Sequence, residues 1–274
     1  MLFRVALIAL VVYAALVLVV FLFQSRLVFL PDIAGRELVA TPSQVGLRYD
    51  EVRLSTDDGE TLHGWWLPQP QASTTVIFFH GNAGNISHRF DTLEIFRRLG
   101  VNVLIFDYRG YGQSTGEPSE EGLYQDALSA WQWATEQRDI APENIVLFGR
   151  SMGGAVAAWL ATQVDARGLI IESGFSSVPD LGAELYRWLP VRRVARIRFP
   201  TVDYVAAAKL PVLVIHSRDD EIIPFHHGQR IAEAAREPKT LVAISGDHNT
   251  GFLTTGRLYF EALQQFLEPI SQPR

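Results

Sequence analysis

The chain has 274 residues, 48% hydrophobic and 20% charged, enough to bury a sizeable core in a single α/β domain. A formal net charge of −6 leaves no domain-wide basic field to displace phosphate counterions, so no nucleic-acid partner is expected. Cysteine is absent, which excludes disulfides and thiolate metal sites, and no internal repeat or low-complexity segment is visible.

From the N-terminus, an uncharged apolar run extends from Val5 to Phe23. As a helix it measures about 28 Å, enough to cross the hydrocarbon core of a bilayer. A cleaved signal peptide would carry a shorter apolar region and an A-x-A-like site, yet Phe21-Leu22-Phe23-Gln24-Ser25-Arg26 stands there. Residues 1–26 are therefore expected to form an uncleaved transmembrane anchor. Arg4 and the amino terminus flank one end; Arg26, Asp32, Arg36 and Glu37 flank the other. That charge bias places the N-terminus in the cytoplasm and the remaining chain outside it, in the periplasm if the source is bacterial. Residues 27–50 are punctuated by Pro and Gly and read as a linker packing along the domain.

Two short strands, Glu51–Ser55 and Leu62–Leu67, flank Asp57-Asp58-Gly59-Glu60, a hairpin signal. Strands and helices then alternate. Strands are expected at Thr75–Phe79, Val101–Phe106, Ile145–Phe148, Gly168–Ile171, Val212–Ile215 and Thr240–Ile244. Helices are expected at Ile86–Leu99, Glu121–Gln137, Ala155–Gln163, Phe225–Ala235 and Leu253–Leu267. This order predicts a mostly parallel central sheet covered by helices on both faces. Residues 173–209 break the alternation and are placed to form a short helical lid. Trp188, Leu189 and Pro190 are followed there by Arg192, Arg193, Arg196 and Arg198. These arginines read either as a basic rim meeting anionic groups or as a solvated face whose stems cover the core.

The chemistry centres on Gly149-Arg150-Ser151-Met152-Gly153, a G-x-S-x-G pentapeptide between a buried strand and a helix. Such a turn brings the residues two before and two after the serine almost into contact, which glycine permits. A serine nucleophile needs a base, a group orienting that base, and donors for the oxyanion. His248 is the candidate base, because the loop after the last strand reaches over the sheet's C-terminal edge. Six other histidines compete: His63 sits in an early strand, His88 begins a helix, His226 and His227 lie at the start of a surface helix, and His80 and His216 end buried strands, where structural hydrogen bonding is expected. The orienting acid is expected in the loop after the preceding strand, where Asp219, Asp220 and Glu221 are adjacent and position does not choose among them. Asp247 reads as shaping its loop. For the oxyanion, the candidate amides are those of Met152, after the nucleophile, and Asn82, in His80-Gly81-Asn82-Ala83-Gly84-Asn85, with Ala83 the alternative. Phe106-Asp107-Tyr108-Arg109-Gly110-Tyr111-Gly112 reads as a structural loop beside the site.

With these stretches and with Asp220-Glu221-Ile222-Ile223-Pro224 and Gly246-Asp247-His248-Asn249, the chain resembles the α/β-hydrolase superfamily from about Glu51 to Leu267. Within it, the chain looks like the membrane-anchored α/β-hydrolase-domain group, classed with serine-aminopeptidase-like hydrolases. In that group the orienting acid is the aspartate before E-x-x-P, which selects Asp220, and the order Ser151, Asp220, His248 matches the superfamily. Ser217 departs from the glycine usual there. The resemblance implies an α/β-hydrolase domain over residues 51–274 and a membrane-anchored serine hydrolase. It would cleave acyl esters or thioesters, of lipid-like or small-molecule substrates near a membrane, without metal or cofactor. The alternatives are a serine peptidase and a non-catalytic, membrane-tethered binding protein of the same fold.

Overall fold

The computed structural model describes residues 1–268, so 269–274, the end of the expected domain, lie outside the described residues. Its centre is an eight-stranded sheet of β1 (Asp50–Ser55), β2 (Thr61–Leu67), β3 (Thr75–Phe79), β4 (Asn102–Phe106), β5 (Ile145–Arg150), β6 (Gly168–Glu172), β7 (Val212–Ser217) and β8 (Lys239–Ile244). They lie in the order β1-β2-β4-β3-β5-β6-β7-β8. β1 and β2 form an antiparallel hairpin, and β2 runs antiparallel to β4; all other pairings are parallel. The expected fold class, an α/β-hydrolase-type sheet, is what the chain forms.

Eleven α-helices surround the sheet or precede it among the described residues. They are α1 (Leu2–Leu22), α2 (Gln24–Val28), α3 (Phe90–Leu99), α4 (Glu120–Gln132), α5 (Met152–Leu160), α6 (Val178–Leu185), α7 (Val191–Val194), α8 (Thr201–Ala207), α9 (Phe225–Ala234), α10 (Gly251–Thr255) and α11 (Arg257–Leu267). Successive strand residues point to opposite faces, so the apolar runs of β3, β5 and β6 supply both layers. On one face Ile77, Leu104, Leu147, Ile171 and Val214 pack with α4, α5, α8 and α9 residues such as Ala127, Val156, Val205 and Ile231. Across the sheet Phe78, Ile105, Phe148, Ile170 and Leu213 pack with Phe96 of α3 and Leu263 of α11. Phe148 is wedged edge-on between Phe78 and Phe96, with ring centroids 5.0 and 5.1 Å away.

Helix limits differ from the sequence expectation where turn chemistry intervenes. The helix after β5 begins at Met152 rather than Ala155, because the turn at Ser151 delivers the chain directly into it. Residues 86–99 divide into a tight turn at Ile86–His88, capped by Asn85, and α3. Beyond α4, Trp133–Gln137 form one wider turn that sets Trp133 against Trp66, 5.5 Å between centroids. Gly256, at φ 55°, breaks the last helix into α10 and α11.

Within residues 173–209 only α6, α7 and their connection stand over the sheet edge. α8 belongs to the body, because Phe199, Thr201 and Val205 are fully buried. Residues 27–50 are pinned to the domain: Phe29 and Leu47 are buried, and Arg36 donates to the Gly112 and Ser114 carbonyls. Arg109 joins Asp58 of the first hairpin to Asp126 of α4. Its hydrogen bonds, aided by Thr56, hold Asp58 down at about 2. The 106–112 loop is thus fastened from two sides.

Truncating Phe148 to Ala is expected to cost about 3–5 kcal/mol, since it empties the middle of a packed aromatic layer. Urea denaturation of the detergent-solubilised protein measures this, and a loss below about 1 kcal/mol would contradict the packing described.

Candidate active site

Between β5 and α5 the backbone of Ser151 lies at φ 53° and ψ −120°. This conformation is strained for a residue with a side chain and is held by its surroundings. Ser151 N–H donates to the Glu172 carbonyl at 2.8 Å, and Gly154 N–H donates to the Ser151 carbonyl at 2.9 Å. A Cβ on Gly149 would lie 2.3 Å from the Gly153 carbonyl oxygen, and one on Gly153 would lie 2.0 Å from that of Phe79. Both positions therefore exclude every residue but glycine. The serine side chain is left at the N-terminus of α5, above the C-terminal edge of the sheet.

The loops after β7 and β8 bring the other groups to it. His248 Nε2 is 3.2 Å from Ser151 Oγ, and His248 Nδ1 is 2.7 Å from Asp220 Oδ2. The remaining oxygen of Asp220 accepts from the Ile222 and Ile223 amides at 3.0 and 2.7 Å. Burial of Asp220 favours its neutral form, but the hydrogen bond and charge of His248, with the Ile223 amide, outweigh it and lower the carboxyl below its ordinary range. His216 Nε2, bound to the Ile223 carbonyl at 2.8 Å, stands 3.5 Å from the same carboxylate. Burial lowers the affinity of His216 for a proton.

The three adjacent acids have separate partners. Asp219 accepts from Gly246 N–H at 3.2 Å, Asp220 meets the ring of His248, and Glu221 accepts from His248 N–H at 3.0 Å. Asp247 turns away, accepting from the Asn249 and Thr250 amides at 2.9 Å each and so shaping its own loop. Ser217 donates to the Gly246 carbonyl at 2.5 Å and accepts from Asp219 N–H at 3.1 Å, tying the two loops together.

Sequence reasoning misses Arg150. Its guanidinium donates to the His248 and Asn249 carbonyls at 3.1 and 2.7 Å, lies 3.3 Å from Glu172, and stacks 4.6 Å from the centre of the Phe252 ring. The residue before Ser151 therefore holds the His248 loop in place. The one signal in the sequence is a buried-strand position occupied by a charge, which demands a partner without naming it.

Asn82 lies beside Ser151, but its side chain is committed elsewhere. It donates to the Val28 carbonyl at 2.6 Å and accepts from Leu30 N–H at 3.1 Å and the Tyr111 hydroxyl at 2.7 Å. The backbone amides of Asn82 and Met152 have no acceptor among the described residues. Ser151, Met152, Asn82 and His248 line a cavity of about 430 Å³ whose walls include Val28, Phe175, Leu181, Leu185 and Phe199. No carboxylate lines it among the described residues.

The other histidines are structural in their contacts. His80 Nδ1 is 2.8 Å from the Gly81 carbonyl, with Asp107 3.4 Å from Nε2. His226 and His227 face Glu184 of α6 at 2.9 and 3.5 Å, a grouping compact enough for an ion. Ser176 N–H donates to His227 Nδ1 at 3.2 Å, which puts the ring proton on Nε2, facing Glu184. The set therefore works as a polar clamp between the lid and α9.

A strand–serine–helix elbow on an eight-stranded, mostly parallel sheet, with an imidazole and a carboxylate converging from the last two strand loops, defines a hydrolase fold. A family profile described as "Serine aminopeptidase, S33" matches residues 70–204. An uncharacterized Mycobacterium tuberculosis protein is 39% identical over 247 residues, covering 89% of this chain and 87% of its own. The α/β hydrolase domain-containing protein WAV2 of Arabidopsis thaliana is 36% identical over 270 residues, covering 90% and 88%. The esterase Pf2001 of Pyrococcus furiosus superimposes with a TM-score of 0.73 at 21% identity, over 88% of this chain and 97% of that one. The chain belongs to the α/β-hydrolase superfamily.

Because the Asp220 carboxyl is lowered by folding, its contribution to stability is complete above the ordinary carboxylate value, near 4, and is lost as pH falls below it. The stability gap between the protein and Asp220→Asn should close as pH falls below about 4. Urea denaturation between pH 7 and pH 3 tests this; a gap independent of pH would contradict it.

Proposed function

We propose that the protein is a single-pass membrane-anchored serine hydrolase that cleaves acyl esters or thioesters through an acyl-enzyme intermediate. One observation carries the reading: the unbroken line from Asp220 through His248 to Ser151 ends beneath an apolar cavity. His248 Nε2 accepts the Oγ proton as Ser151 bonds to the carbonyl carbon, and Asp220 holds the ring and its developing charge. The Met152 and Asn82 amides receive the oxyanion, helped by the N-terminus of α5. Collapse expels the alcohol or thiol, which takes the proton from His248. Water then enters with His248 as base, the acyl group leaves as the acid, and Ser151 regains its proton.

The anchor is α1, an apolar helix long enough to cross a bilayer. Its flanking charges favour a cytoplasmic N-terminus and a hydrolase domain on the other side. The family description names an aminopeptidase, but a substrate ammonium would find no carboxylate on the cavity wall. The guanidiniums of Arg89 and Arg150 on that wall would repel an ammonium, whereas an acyl group without positive charge suits its apolar residues.

In detergent, p-nitrophenyl esters from acetate to palmitate should be turned over, and Ser151→Ala should lower kcat by about 10⁴-fold or more. Equal turnover by Ser151→Ala would overturn the assignment. Arg150 lines the cavity as well as holding the His248 loop, so Arg150→Met, which keeps an aliphatic stem on the wall but frees the loop, should lower kcat more than it changes KM. An unchanged kcat would show that Arg150 has no positioning role.

A further inference from the structure

The contacts between α1 and the lid are not needed for the chemistry above. Val17, Val20 and Phe21 are half-buried on one face of α1, whose other residues are exposed, and Gln24 at the start of α2 is buried. Gln24 donates to the Val194 carbonyl at 2.8 Å and accepts from Arg196 N–H at 2.7 Å. The Arg196 guanidinium donates to the Phe21 carbonyl at 3.0 Å and lies over the Phe21 ring at 4.8 Å. One turn further toward the N-terminus than Val17, Tyr13 donates to the Trp188 carbonyl at 2.8 Å. The lid thus runs alongside the apolar helix rather than stopping at its end.

Tyr13 stands about two and a half turns before Leu22, roughly 13 Å along the axis. Half of a bilayer's hydrocarbon thickness is about 15 Å. With α1 across a membrane, and at ordinary tilt, a segment bonded at the level of Tyr13 lies below the headgroups. The composition of that segment suits this depth. Leu185, Tyr186 and Trp188 are each half exposed, at 52%, 50% and 56%. Exposed Arg187 and Arg193 beside them have stems long enough to lay along acyl chains while their heads reach phosphate. The same tip forms the mouth of the cavity: Leu185 and Tyr186 line it, together with Leu27 and Ile222, which are themselves exposed.

We propose that the lid tip, residues 185–189, enters the lipid leaflet beside α1, and that the cavity over Ser151 opens sideways into the acyl-chain region. The substrate acyl chain then passes from lipid into the cavity without crossing water. This rests on the reading of α1 as a membrane anchor and of the cavity as a serine-hydrolase site.

The chain has no cysteine, so Trp188→Cys and a control, Glu136→Cys on the exposed end of the α4 region, each carry a single fluorophore. The full chain is reconstituted in phosphatidylcholine vesicles bearing nitroxides at the fifth or twelfth acyl carbon. Quenching at position 188 should exceed that at 136 at least threefold, and aqueous iodide should quench 136 but not 188. Iodide quenching of 188 equal to that of 136 would overturn the insertion. This readout needs no turnover, so an inserted lid on an inactive protein would refute the hydrolase reading alone.

The sideways route is read with Trp188→Glu, whose side chain lies outside the cavity lining. Hydrolysis of a fluorogenic palmitoyl ester in the same vesicles should fall at least tenfold. Butyrate-ester turnover in detergent should stay at the unsubstituted level, and Trp188→Leu should restore the vesicle activity. Undiminished vesicle turnover by Trp188→Glu would overturn the route.

Discussion

Between β5 and α5 the chain reverses within one residue, and the strain at Ser151 is the cost of that reversal. Four backbone segments meet there: the ends of β3, β5 and β6 and the first turn of α5. The Glu172 carbonyl fixes the amide of Ser151, while the carbonyls of Phe79 and Gly153 press against positions that carry no Cβ. Because β3, β5 and β6 are buried on both faces, none of these segments yields without disturbing the packed layers. The position of one hydroxyl is therefore set by the whole central sheet.

The groups that meet Ser151 come from loops, and loops need fastening of their own. Asp219, Glu221 and Ser217 bind the backbone of the His248 loop, and Arg150 binds it from below. Arg150 leans in turn on Glu172, whose other oxygen accepts from the Tyr259 hydroxyl at 2.5 Å. A buried charge network of this kind holds only while each member is paired. On the opposite side of the cavity the Asn82 side chain ties the His80–Asn85 loop to residues 28–30, directly after α1 and α2. The loop of the candidate oxyanion donor and the end of the N-terminal helical segment are thus joined.

The middle of the sheet is legible in the sequence because β3, β5, β6 and β7 contain continuous apolar runs, which burial on both faces requires. The elbow is legible because only glycine tolerates its contacts. Helix limits are less so, since the turns at Ile86–His88 and Gly256 depend on side-chain caps and a left-handed backbone that periodicity does not report. At the site, Ser151 and His248 follow from their places after strands. Asp219, Asp220 and Glu221 are equivalent by position, and family resemblance singles out Asp220, which the structure places against His248. The partners of Arg150 and the pairing of Tyr13 with Trp188 are not named by the sequence, because each joins stretches about a hundred residues or more apart. No local pattern encodes such a meeting.

Peptide mapping of the intact protein after reaction with a fluorophosphonate tests whether Ser151 is the activated nucleophile. An activated serine forms a covalent phosphonyl adduct, which is expected on Ser151 in the unsubstituted protein and lost in His248→Ala. A folded protein that forms no adduct, or forms it on another residue, would contradict that role.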